Sequence, residues 1–299
     1  MSVRTKEKKA AAPVDTLKKR SQLFEIWDRL RTNKLAMVGM GIVIVLILCA
    51  IFADVIAPYG INDQNLSERL MYPCLAHPLG TDNNGRDILS RIIYGGRISL
   101  LVSLMAVVCS VVTGGLIGAI SGYFGGRIDT VIMRLMDMLM AIPGTLLAIC
   151  VSSMLGNGIW QTAVAVAVGG IAPSCRMMRA TALSIRGEEY IEAAKACGSR
   201  NLRVILTHVI PNCLAPIIVD CTLRLGGNIM MISGLSFIGL GVQPPTPEWG
   251  SMLSFARNYI WVAPHMAIVP GMAICVTVIA VNLLGDALRD FLDPRTRDN

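Results

Sequence analysis

The 22 residues Leu35–Ile56 carry a single charged side chain, Asp54, and a run of that kind has few ways to fold. As a helix it would be about 33 Å long, enough to cross the hydrocarbon layer of a bilayer. Comparable runs recur at Ile98–Ile120, Val131–Leu155, Trp160–Ile171, Cys213–Ile232 and Met266–Leu284. Lipid offers the backbone no hydrogen-bond partners, so such runs must be helices. The pattern predicts an all-α polytopic membrane protein with six transmembrane helices. Trp160–Ile171 is short as pure hydrocarbon and crosses only by borrowing Pro173–Met178. Composition agrees: the chain is 54% hydrophobic and 16% charged, against roughly 25% charged in soluble domains.

A net charge of +7 raises the question of nucleic acid, and the distribution of charge answers it. Ten of the 27 Lys and Arg lie in residues 1–34, and the others sit mainly in short stretches between apolar runs. Two fall in 121–134, six in 174–208 and three in 285–299, against five (Arg69, Arg86, Arg91, Arg97 and Arg257) on the alternate side. That asymmetry predicts cytoplasmic termini and a cytoplasmic 188–212 segment, with 57–96 external, and no nucleic-acid partner. The first apolar run starts too late and is too long for a secretory signal peptide. The nine cysteines contain no CxxC pair and read as small apolar helix residues. In the basic arm 1–34, Leu23, Phe24, Trp27 and Leu30 recur at helical spacing, which suits an interfacial helix; a tail drawn to anionic headgroups would read the same.

The polar stretch 188–212, EEYIEAAKACGSRNLRVILTHVIPN, interrupts the hydrocarbon. Glu188, Glu189 and Glu192 suit the positive start of a helix, and Gly198 suits the left-handed residue that ends one. Ser199 is positioned to cap a second short helix, which Pro211 would close. The prediction is a surface helical hairpin, a form that an ordinary solvated loop shares.

At these residues the chain resembles the permeases of ABC importers. Glu192-Ala193-Ala194, with Gly198 six positions after the Glu, matches their EAA loop. HPLGTDNNGRDILSRIIYGGRISL (77–100), LSFIGLGVQPPTPEWGSML (235–253) and NLLGDALRDFLDPR (282–295) resemble the second permease of dipeptide, oligopeptide, glutathione and nickel importers. The resemblance implies a type I importer permease fold, with an arm at 1–34, a permease domain at 35–284 and a tail at 285–299. It implies as partners a second homologous permease, two ATP-binding cassette subunits and an extracytoplasmic solute-binding protein, in a bacterial inner membrane. It makes Glu192, Ala193, Ala194 and Gly198 the surface that couples to the ATPases. No Lys follows a Gly, so the phosphate loop GxxxxGK[ST] is absent; ATP and Mg would bind the partners, and no cofactor or metal this chain. Catalysis has no footing either, since HExxH and GxSxG are missing and the three histidines are scattered. A passive channel is the remaining rival and would carry flux without ATP.

Charges within spans are costly and need partners. Arg134 and Asp137 are three apart and Asp220 and Arg224 four apart, so each couple can neutralise itself on one helix face. Together with Asn228, and with Asn282 behind them, they are also the candidates for lining a translocation path. Pro143 and Pro270 free backbone carbonyls within spans, as static kinks or as hinges. In the external segment His77, Asp82, Arg86 and Asp87 are the candidate contact residues; one His is too little for a metal site. Trp249 and Trp261 are expected at the outer headgroup level.

Overall fold

In the computed structural model, residues 33–292 are described. The helix expected at 21–34 lies outside them but for its last two residues, as does the chain beyond Leu292. The first span is α1 (Lys34–Ile51), started by the Asn33 side chain, which accepts from the amides of Leu35 and Ala36; a short α2 (Ala53–Ile56) follows a break at Phe52.

The next helix, α3 (Ile88–Phe124), has 37 residues and extends beyond both ends of the apolar run that announces it. At about 55 Å it is longer than the hydrocarbon layer is thick. Its start is set by Asp87, whose carboxylate accepts from the Ser90 amide at 2.7 Å, and its end by Gly125 at φ +65°. Ser90, Arg91, Gly95 and Gly96 are buried in the added turns, so hydropathy alone clips this end.

The expected span Val131–Leu155 is two helices, α4 (Gly126–Ala141) and α5 (Gly144–Leu155), bent by 88°. Pro143 is the reason: its ring forces Ile142 into an extended conformation (φ −90°, ψ 126°), which a helix cannot accept. Pro143 therefore sits in a corner, not within a helix.

α6 (Ile159–Ile185) passes through Pro173 unbroken. It is long enough to cross, at about 40 Å, but Arg176, Arg179 and its small residues hold down its mean hydropathy. Its cover is protein: α3 and α6 form the most extensive helix pair of the fold. Gly118 and Gly122 on α3 allow that approach, since a Cβ on either would come within 2.9 Å of Met178 or 2.7 Å of Ala182.

Beyond it come α7 (Glu189–Ala196), α8 (Asn201–Val204), a π turn (Ile205–Val209), α9 (Ile210–Phe237), α10 (Trp249–Ala256) and α11 (His265–Leu292). Pro270 lies inside α11, which continues past it, and eight residues past Leu284. By length and composition α1, α3, α9 from Pro216, and α11 can each cross a membrane, and the bent α4–α5 pair makes a fifth candidate. With α6 the fold is compatible with six crossings.

The core falls into separate clusters along the bundle. At one end Ile88, Trp249, Met252, Ala256 and Met266 pack beneath the loop that precedes α3. At the other, Ala119, Tyr123, Met178, Ala182, Ile191, Val204 and Val209 join α3 and α6 to the 188–212 hairpin. The outer faces stay apolar, with Val45, Val55, Met154 and Trp160 exposed, as a lipid-facing bundle requires.

Candidate functional site

The hairpin is one helix turned back on another. Glu188 begins α7 through its backbone, and Glu189 and Glu192 occupy the first turn. Ile191 is fully buried and anchors α7 to the bundle, which leaves Glu192 and Ala193 facing outward and Ala194 half buried. The chain reverses at Gly198, φ +79°, where Gly198 N donates to Lys195 O (2.9 Å) and Ser199 N to Ala194 O (3.1 Å). That is the Schellman closure that a glycine makes cheap.

Two local expectations are corrected here. Ser199 does not cap the second helix; Arg200 holds the cap position in an extended conformation, with no side-chain bond. Pro211 does not close that helix, because α8 runs through the π turn directly into α9, with Pro211 in the first turn of α9. A π turn widens the backbone where the proline ring would otherwise meet the carbonyl four residues back.

Of the two intramembrane charge couples, one forms as expected and the other does not. Asp220 accepts from Arg224 Nε at 2.6 Å, and Asn228 follows one turn later on α9. Arg134 and Asp137, however, do not pair; Asp137 binds Arg176 of α6 at 2.5 Å. Spacing of three fits one helix face, but the guanidinium facing α4 across the α4–α6 contact is nearer. Asn282 faces Gly226, where an added Cβ would lie 2.7 Å from its side-chain oxygen. Between α5 and α9 an apolar cleft of about 390 Å³ opens, lined by residues that include Thr145, Ile149, Gly227, Met230 and Gly234.

His77, Asp82, Arg86 and Asp87 are all at least nine-tenths buried, and each is bonded inside its own loop. Arg86 Nε donates to Asp82 at 2.7 Å, and His77 Nδ1 shares a hydrogen bond of 2.9 Å with Asp87. Glu68 approaches the other ring nitrogen of His77 at 3.5 Å. Arg91, from the first turn of α3, reaches Asp82 at 3.7 Å. These side chains shape the loop, and its contacts must be made by what they hold up. Among the described residues no group of three or more His, Cys, Asp or Glu is placed to hold a metal.

Trp249 is also corrected: it is 1% exposed, its indole N–H donates to Ile92 O at 3.0 Å, and its ring covers Gly95 and Gly96. Trp261 is 96% exposed. Spacing and hydropathy pass over three polar features. Glu248 is fully buried at the start of α10, accepts from the Ser251 amide at 2.8 Å and lies near the hydroxyls of Ser99 and Ser233; burial pushes its carboxyl above the usual range. Arg179 of α6 grips Asp129 of α4, which also accepts from Ser121 of α3. Tyr123 O–H meets Asn201 at 3.0 Å. The sequence PEWG, with its carboxylate directly before Trp249, is the signal that points to the first of these.

A helical bundle with lipid-facing sides, a broken helix and a polar hairpin at its end defines a multi-pass membrane protein. The same fold is found in the MetNI methionine ABC transporter in inward-facing form, with a TM-score of 0.54 over 69% of this chain and 98% of that one, at 16% identity. The chain belongs to the binding-protein-dependent transport system inner membrane components, the family that residues 114–298 match, while residues 21–78 match the N-terminal transmembrane domain of oligopeptide transport permease C. Its relatives include the dipeptide transport system permease protein of Alkalihalophilus pseudofirmus, 42% identical over 98% of this chain and 96% of that protein. The di/tripeptide transport system permease protein of Pseudomonas aeruginosa is 40% identical over 93% and 94% of the two chains, and the glutathione transport system permease protein of Escherichia coli 43% over 93% and 92%. The protein is thus an inner-membrane permease subunit of an ABC importer, and not an enzyme.

Proposed function

We propose that this chain forms half of the translocation pathway of an ATP-driven importer of short peptides, coupled to its motor through the 188–212 hairpin. The observation that carries the coupling is local: α7 is pinned by the buried Ile191 and closed by Gly198, and it offers the exposed Glu192 and Ala193 on a small rigid protrusion. A partner can grip such a surface and move it as a unit. Peptides as cargo are supported by the relatives, whose names specify dipeptides, di- and tripeptides and glutathione. Glutathione, itself a tripeptide, is the second reading; chelated nickel rests on sequence resemblance alone.

The partners are a second homologous permease, two ATPase subunits that bind ATP and Mg, and an extracytoplasmic binding protein. The hairpin and both termini lie in the cytoplasm, supported by the arginine and lysine asymmetry. The binding protein delivers its peptide to a cavity between the permeases, and ATP turnover moves the hairpin and reverses the cavity. Asp220, Arg224 and Asn228 mark one polar edge of α9 toward that path; Arg134 and Asp137 are proposed for it less directly, since Asp137 is held by Arg176. The loop shaped by His77, Asp82, Arg86 and Asp87 faces the binding protein.

Reconstitution of the assembled complex in liposomes tests this reading. Labelled dipeptide is expected to accumulate only with ATP and binding protein together. Equal flux without ATP would make the chain a passive channel.

A further inference from the structure

The short helices α7 and α8 meet at Gly198, the glycine bend of the hairpin at φ +79°, and one side chain from another helix touches both. Tyr123, in the last turn of α3, is 4% exposed. Its hydroxyl meets Asn201 Oδ1 at 3.0 Å, on the α8 side of the bend. The Lys195 ammonium stands 5.0 Å from the centre of its ring, on the α7 side. Its ring also packs in the cluster that holds Ile191 and Val204, one residue from each short helix.

From this geometry we infer that Tyr123 is a positioning residue that locks the hairpin across its glycine bend and ties it to α3. Without that tie, a push on Glu192–Ala194 would be absorbed by rotation at Gly198. With it, α7 and α8 move as one body, and the displacement enters the inner end of a single 37-residue helix. The opposite end of that helix starts in the 77–87 loop, through the Asp87 cap. The inference rests on the proposed coupling role of the hairpin and adds the route by which the motion leaves it.

The test uses the assembled complex in liposomes and reads ATP hydrolysed per labelled dipeptide imported. Tyr123→Phe removes the Asn201 bond and keeps the ring under Lys195; Tyr123→Leu removes both; Asn201→Asp keeps an acceptor for the hydroxyl. The expected result is near wild-type ATP hydrolysis in all three, with ATP per peptide raised several-fold in Y123F, tenfold or more in Y123L and little changed in N201D. Should Y123L fail to assemble, Y123F against N201D decides. Wild-type stoichiometry in Y123F and Y123L would overturn the inference, as would parallel loss of hydrolysis and import, which marks a purely structural role. If instead the wild-type complex imports nothing with ATP, the proposed function fails and not this link alone.

Discussion

Arg179 of α6 closes on Asp129 of α4 with two guanidinium nitrogens, the second at 2.6 Å from the carboxylate, while Ser121 of α3 donates to the same group. One ion pair thus joins three helices at the hairpin end of the bundle. Arg179 is about a third exposed and Asp129 less so, which places the pair between surface and core in energetic terms. Removing one partner, as in D129N or R179L, is expected to cost about 1–3 kcal/mol, below the cost of a fully buried charge. Thermal unfolding in detergent would show it, and a double-mutant cycle is expected to return a coupling energy of about 1 kcal/mol or more.

Gly198 tests the shape of the hairpin. A side chain at φ +79° is strained, by roughly 1–2 kcal/mol for ordinary residues, yet nothing crowds the space where a Cβ would go. G198V is therefore expected to insert and accumulate at wild-type levels while losing ATP-coupled uptake. Glu192→Lys, which changes the outward face of α7 and puts a cation in its first turn, is expected to lose uptake with a stability loss of only about 0.3–1 kcal/mol. Membrane-fraction blots beside the uptake assay separate the two effects.

At the other end, Trp249 fills the space that Gly95 and Gly96 leave open, about 3.0 Å from where a Cβ on either would lie. W249A empties that space and is expected to destabilise the fold by about 3–5 kcal/mol. Gly96→Leu is expected to be as damaging for the opposite reason, since the ring it would strike is held by its bond to Ile92. Yields and melting temperatures of the detergent-purified variants would check both.

Glu248 gives the fold a pH dependence of known sign. Burial raises its carboxyl above the unfolded value, partly offset by hydrogen bonds from the Gly250 and Ser251 amides and nearby serines. Its contribution is thus fully present below the ordinary carboxylate range and is lost as pH rises through the raised folded value. The wild-type melting temperature is expected to fall across that window, and E248Q to flatten the profile. A wild-type profile that rises across the same window would contradict the assignment.

Much of this architecture is legible in the residues because hydrocarbon is an unforgiving solvent. The apolar runs are helical apart from the breaks at Phe52 and at Ile142–Pro143, Gly198 turns the hairpin with the positive φ its position demands, and Asp220 with Arg224 pair as their spacing requires. What escapes one-dimensional reading is decided by neighbours. Asp137 takes Arg176 because α6 happens to lie beside it, and Trp249 is buried because two glycines on α3 leave room for an indole. Pro211 enters a helix where it is expected to end one, since the π turn before it absorbs the clash. Hydropathy undervalues α6 for the same reason: a helix sheathed in protein needs small residues more than oily ones.

The account depends on where the hairpin lies and what touches it, and its own sequence supplies the probe. Cys197, exposed beside the Gly198 bend, reports directly in a variant with every other cysteine replaced. A membrane-impermeant maleimide is expected to label it from the cytoplasmic side of inverted vesicles stripped of ATPase subunits, and to be blocked when those subunits are restored. Labelling from the outer side, or labelling indifferent to the ATPase, would contradict the coupling role on which the rest is built.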